Sequence, residues 1–79
     1  MKLLVRNLSR STTEQEIRNL FSEHGSVTEC SLVLDQLTGK SKGFGFVVMP
    51  NENEAKAAIT ALHEVRVAKN RIRVKEAQN

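Results

Sequence analysis

Phe44 and Phe46 stand two residues apart with Gly45 between them and Lys42-Gly43 before them. The chain has three aromatic residues in all, each a Phe, so two of the three fall within one tripeptide. On an extended strand, positions i and i+2 project from the same face, roughly 7 Å apart by strand rise. Each ring is a flat π-surface on which an unpaired base can stack, a contact worth roughly 1–3 kcal/mol. Lys2, Arg6, Lys40, Lys42, Arg71, Arg73 and Lys75 supply cations elsewhere in the chain. Cationic side chains bind phosphate oxygens through charge-assisted hydrogen bonds. Rings interleaved with cations form the footprint that a nucleic-acid strand requires.

Other chemistries find less to work with. His24 and His63 have no partner at catalytic or ligand spacing, and no Cys/His cluster exists to hold zinc. Cys30 is the single cysteine, so no internal disulfide forms, and it reads as a small buried hydrophobe. Arg6, Asn7 and Arg10 resemble the arginine and asparagine of ferredoxin-like acyl-phosphate hydrolases. The segment lacks the glycines that a phosphate cradle needs.

The elements that must position these residues follow from hydrophobic period. Lys2 to Leu8 alternates as a strand. Thr13 with Glu16 forms a capping box, and Ile17, Leu20, Phe21 and His24 mark one face of a helix over about residues 14–24, with Gly25 as a left-handed stop. Val27 to Leu34 reads as a second strand, with Cys30 and Leu32 on one face and Glu29, Ser31 and Val33 on the other. Asp35 to Lys42 is rich in turn formers and reads as an exposed loop. Gly43 to Met49 is a third strand, stopped by Pro50. Asn51 caps a second helix carrying Ala55, Ala58, Ile59 and Leu62. Val65 to Lys69 is either a short strand or an irregular return; Arg71 to Lys75 alternates as the last strand, and residues 76–79 are expected to fray. The order β-α-β-β-α-β predicts an α+β, ferredoxin-like sandwich: a four-stranded antiparallel sheet with both helices on one face and the other face open.

Parity then sorts the side chains. Leu3, Val5, Ile72 and Val74 point to the core, leaving Lys2, Leu4, Arg6, Arg71, Arg73 and Lys75 on the open face. The third strand is apolar on both parities, so strand pattern alone leaves Phe44 and Phe46 either outward or in the core. The usual burial of aromatics favours the core.

Lys42-Gly43-Phe44-Gly45-Phe46-Val47-Val48-Met49 resembles the third-strand octamer of the RNA-recognition motif family, Lys/Arg-Gly-Phe/Tyr-Gly/Ala-Phe-Val-x-Phe/Tyr, departing only at Met49. Leu3-Leu4-Val5-Arg6-Asn7-Leu8 is similar to that family's first-strand hexamer, and the resemblance runs from about Leu3 to Val74. It implies that Phe44 and Phe46 lie on the open face and stack on bases, with Gly45, Val47 and Met49 beneath, Gly45 giving a helix room to approach. It also implies sheet-face contacts to single-stranded RNA, or to ssDNA in vitro, from Lys2, Leu4, Arg6, Asn7, Val33, Lys42, Arg71, Arg73 and Lys75, and phosphate contact from Lys40. Leu4 stands where the family usually has a further aromatic platform, and an aliphatic side chain offers apolar contact only. Lys69-Asn70 replaces the usual Gly-Arg/Lys before the last strand, with Asn70 expected to take the left-handed turn, and His63-Glu64 replaces the Asn-Gly after the second helix.

The 79 residues carry 12 Lys and Arg against 9 Asp and Glu, a net +3. Seven of the cations lie on the open face and its loop against Glu29 alone, a local +6 that leaves −3 for the remainder, mostly helical acids. No cofactor or metal is implied, and no apolar run approaches the roughly 20 residues of a membrane span. Length and composition lead us to expect a single, reduced, cytoplasmic domain over 1–79, also expected to be monomeric. A compact chain without linkers fits the stand-alone, bacterial-type members of the family it resembles. An RNA-binding module, a protein-docking sheet of the same fold and the hydrolase remain as readings of different classes.

Overall fold

The computed structural model describes residues 1–77. Strand β1 (Lys2–Arg6) leads to helix α1 (Glu14–Ser22), then β2 (Glu29–Leu34), β3 (Ser41–Val48) and helix α2 (Glu52–Leu62). A two-stranded hairpin, β4 (Arg66–Val67) and β5 (Asn70–Arg71), precedes the last strand, β6 (Arg73–Glu76). The main sheet runs β2-β3-β1-β6 with every neighbour antiparallel. This is the ferredoxin-like fold that the element order predicts.

Local chemistry fixes both helix starts. Thr13 Oγ1 accepts from the Glu16 N–H at 3.1 Å, and Glu16 Oε1 accepts from the Thr13 N–H at 3.2 Å, completing the capping box. At α2, Asn51 Oδ1 accepts from the Glu54 N–H. The Glu54 carboxylate turns instead to the Ser26 N–H, tying the end of α1 to the start of α2. That tie explains Gly25, which is not the left-handed stop expected: its φ is +154°, and an added Cβ would lie against the Glu54 side chain. Glycine is demanded there twice over, by a backbone conformation that L side chains rarely adopt and by the close approach of Glu54.

The core lies between the sheet and the helices. Leu3, Val5, Val47, Met49 and Val74 come down from the sheet to meet Phe21, Ile17 and the small Ala55 and Ala58. Phe21 is the one aromatic fully buried. Gly45 lies on the covered side as expected, but its small size serves β2 and not a helix. A Cβ would run into the Ser31 carbonyl, with Leu32 Cα 3.1 Å away, beside the irregularity that shifts register between Leu32 and Leu34.

Several boundaries move. β1 ends at Arg6, because Asn7 turns left-handed at φ +58°. β2 begins at Glu29, and β3 begins at Ser41, inside the expected loop, so Ser41 is buried and Lys42 belongs to a strand. The hairpin closes through Asp35, whose N–H donates to the Lys40 carbonyl at 2.7 Å and whose carbonyl accepts from Gly39 at 2.8 Å. The frayed end does not reach Glu76, which lies in β6; the Ala77 N–H donates to the Lys2 carbonyl, and the expectation for 78–79 falls outside the described residues.

Candidate nucleic-acid interface

The open face is built in rows by the strand registers. Ser31, Phe46, Leu4 and Lys75 form one row across all four strands. Glu29, Val48 and Lys2 form the next. On the other side, pairing of Val5 with Gly45 sets Phe44 beside Arg6, which in turn stands directly opposite Arg73. Aromatic surface is thus concentrated on β3 and cationic charge on β1 and β6. Phe46 and Lys75 are two strand spacings apart, about 10 Å.

Phe44 and Phe46 are half-buried and outward, while Gly45, Val47 and Met49 are buried beneath them. This is the parity that the family resemblance implies and that strand statistics alone do not select. The rings meet edge to face, with centroids 6.4 Å apart and planes at 82°. Lys2 Nζ sits 4.6 Å from the Phe46 centroid. A base arriving on that side displaces a cation–π contact worth about 0.5–1 kcal/mol and releases the ammonium to meet a phosphate.

Leu4 is half-buried next to Phe46, and together with Lys75, Glu76 and Ala77 they line a hollow of about 410 Å³. On the other flank, Phe44, Lys40, Lys42, Arg10, Asp35 and Thr38 surround a groove of about 510 Å³. Asp35 braces that groove: its Oδ1 accepts from the N–H groups of Leu37 at 2.8 Å and Thr38 at 3.1 Å. Those two backbone bonds, Thr38 foremost, hold its carboxyl below the usual carboxylate range. Among the described residues the single ion pair is Lys56–Glu52 on α2. The cations of the sheet face therefore have, among the described residues, no acid within ion-pair reach.

Two expected contact residues occupy different positions. Arg71 leaves the main sheet and lies in β5, directly opposite Arg66. Asn7 turns away from the strand, and its Nδ2 donates to the Arg71 carbonyl at 2.8 Å, while Asn70 Nδ2 donates to the Asn7 carbonyl at 3.2 Å. Asn7 therefore anchors the hairpin to β1. The left-handed residues of that hairpin are Ala68 and Lys69, not Asn70, because the two-residue turn falls one position earlier. Val33 faces outward, half-buried, at the irregular end of β2.

Sequence reasoning missed Arg10, Arg66 and Lys69 as residues of a nucleic-acid interface, having weighed Arg10 only for a hydrolase cradle. Arg66 and Lys69 join Arg71, Arg73, Asn7, Asn70 and Glu64 around a notch of about 500 Å³. An available signal was Val67-Ala68-Lys69-Asn70, which closes a hairpin if both central residues take positive φ; neither is Gly or Asn, so the turn was hidden. Arg6, Asn7 and Arg10 do not converge on a cradle, since Arg10 lines the groove beside Phe44 and Asn7 the notch beside Arg71. Cys30 Sγ lies 3.6 Å from the Glu14 carbonyl, and burial pushes its thiol up, away from thiolate chemistry. His63 caps α2, and its Nδ1 accepts from the Val74 N–H at 3.1 Å, a structural use.

Comparison with known proteins agrees with this geometry. A family model described as the RNA recognition motif matches residues 3–73. Glycine-rich RNA-binding protein 1 of Mycosarcoma maydis is 42% identical over 78 residues, covering 99% of this chain and 45% of that protein. The chain spans less than half the length of the curated relatives it matches. The crystal structure of RNA Binding Protein PG1 superposes with a TM-score of 0.96 at 37% identity, covering 100% of this chain and 95% of the other. A chain of the Sxl-lethal protein/RNA complex gives 0.94 at 31% identity, covering 99% and 47%.

Proposed function

The chain belongs to the RNA recognition motif family, and from that premise we propose that it binds single-stranded RNA across its open sheet face as a monomeric module. The observation that carries this reading is the pair of outward rings, Phe44 and Phe46, on a face whose cations lack acidic partners among the described residues. Bases of a single strand expose their π-faces and stack on the rings. In an A-form duplex the base edges lie in a deep groove that side chains cannot read, so a duplex is a poor ligand for this surface. Leu4 adds apolar contact beside Phe46 without a third stacking surface. Lys2, Arg6, Arg73 and Lys75 stand on the strands beside the rings, where they can meet phosphates, with Lys40 and Lys42 on the opposite flank. The relatives whose names describe RNA binding, and the solved protein/RNA complex of the same fold, support the same assignment.

Fluorescence anisotropy with labelled mixed-sequence single-stranded RNA, single-stranded DNA and duplex RNA tests this. Single strands should compete and the duplex should not. The logarithm of affinity should fall with the logarithm of salt by about 0.7 per phosphate neutralised. Absence of binding refutes the proposal. Binding of apolar peptides with little salt dependence would assign the face to protein docking instead.

A further inference from the structure

We propose that the arginine notch beside β6 is a seat for a phosphate group of the bound strand, extending the binding site past the edge of the sheet. This rests on the RNA-binding reading above and adds a subsite to it. Register supplies the first argument. Arg66 lies directly opposite Arg71 in the small hairpin, and Arg6 directly opposite Arg73 in the main sheet. Like charges directly opposite each other across paired strands destabilise the pairing. Glu64 lines the same notch and forms an ion pair with none of them. Two opposed arginine pairs in succession, unneutralised, form an arrangement that an anion relieves.

The notch is also built, rather than left over. Among the described residues four other than glycine have positive φ, namely Asn7 (58°), Glu64 (67°), Ala68 (50°) and Lys69 (74°). Three of them line the notch, and Ala68 makes the turn that presents Lys69. Left-handed conformations are unfavourable for side chains other than Gly and Asn, and such residues concentrate at functional sites. The Asn7 and Asn70 amides lock the hairpin to β1, and the Glu64 N–H donates to the Ile72 carbonyl at 2.7 Å. A preorganised wall loses little freedom when a ligand arrives.

The chemical class follows from the donors. Three of the four cations lining the notch are arginines, whose planar fork matches phosphate oxygens two at a time. Arg73 belongs both to the sheet row with Arg6 and to the notch, so a strand leaving Phe44 across β1 and β6 arrives there. The phosphate can be an internal phosphodiester or a terminal monoester.

The test uses the full chain with single-stranded tetranucleotides and octanucleotides of one sequence. R66Q/R71Q should weaken octanucleotide binding at least tenfold and make its salt dependence shallower by about 0.7 for each phosphate that is no longer neutralised. Tetranucleotide binding should change little, and the free variant should melt at or above the temperature of the unaltered protein, because the opposed charges are gone. R66K/R71K, which keeps charge without the fork, should fall between the two. Octanucleotides with and without terminal phosphates identify the source: weakening confined to the phosphorylated ones assigns a monoester, and equal weakening a phosphodiester. Unchanged octanucleotide affinity and salt slope in R66Q/R71Q overturns the notch, while weakening of both lengths by F44A/F46A leaves sheet-face binding standing. Failure of the unaltered protein to bind either length overturns both readings. A lowered melting temperature with equal weakening of both lengths assigns the arginines to the fold and overturns the notch.

Discussion

Replacing Phe44 and Phe46 together by alanine separates binding from folding, because neither ring belongs to the buried core. In the free protein the rings contact each other edge to face, and Phe46 also carries the Lys2 ammonium. Losing the aromatic pair costs about 0.5–1.5 kcal/mol beyond area burial. Losing the cation–π interaction costs about 0.5–1 kcal/mol more. At roughly 0.05–0.15 kcal/mol per residue, a 79-residue domain has about 4–12 kcal/mol of stability, so the double variant should remain folded and melt cooperatively. Binding should suffer more. Two stacking interactions at about 1–3 kcal/mol each, with each factor of ten in affinity equal to about 1.4 kcal/mol, predict at least a tenfold loss. Phe21→Ala is the internal control: the same truncation at a fully buried ring should cost about 3–5 kcal/mol, a large share of the total. Thermal melting by circular dichroism and anisotropy with labelled RNA on the same samples read both quantities. If the double variant unfolds while Phe21→Ala melts like the unaltered protein, or if it binds RNA undiminished, the reasoning is wrong.

Gly45→Ala should lower the unfolding free energy by about 1–3 kcal/mol as for other overpacked sites, since the new Cβ meets the Ser31 carbonyl; an unchanged midpoint in chemical denaturation would show that β2 and β3 are not so closely paired. Asp35 titrates below the usual carboxylate range because the folded loop hydrogen-bonds its charged form. Its contribution is therefore present above the unfolded carboxylate range and lost as pH falls through the lowered folded value. Amide exchange at Leu37 and Thr38 should accelerate over that acidic window, and Asp35→Asn should remove this pH dependence; exchange rates following only the intrinsic pH trend would contradict it. Thr12 buries its hydroxyl with no hydrogen-bond partner among the described residues. Thr12→Val should leave stability equal or raised, by about 1 kcal/mol at most, and a clear loss in chemical denaturation would reveal a partner.

Much of the fold was legible because the relevant signals are local or periodic. The Thr13–Glu16 box and the Asn51 cap place both helices, and the charged Lys2 and Arg6 on one parity of β1, against Leu3 and Val5 on the other, fix which side is covered. β3 was different. Its apolar residues on both parities carry no period-two signal, and only the likeness of the octamer to a known motif put Phe44 and Phe46 outside. The least legible part was the return after α2. Its hairpin depends on Ala68 and Lys69 adopting conformations that their side chains disfavour, and it is stabilised by Asn7 and Asn70, 63 residues apart in sequence. That hidden hairpin is why Arg66 and Lys69 were missed and Arg71 was placed in the wrong strand. Gly45 shows the same limit: a glycine required by a neighbouring strand's approach looks, in one dimension, like a helix contact.

The central claim is that RNA lies on the open face of the sheet. A two-dimensional ¹H–¹⁵N NMR titration of the full chain with single-stranded RNA tests it most directly. The account predicts shifts clustered at Leu4, Arg6, Phe44, Phe46, Arg73 and Lys75, with the outward residues of α1 and α2 unmoved. Shifts centred on the helices, or none at saturating RNA, would contradict it.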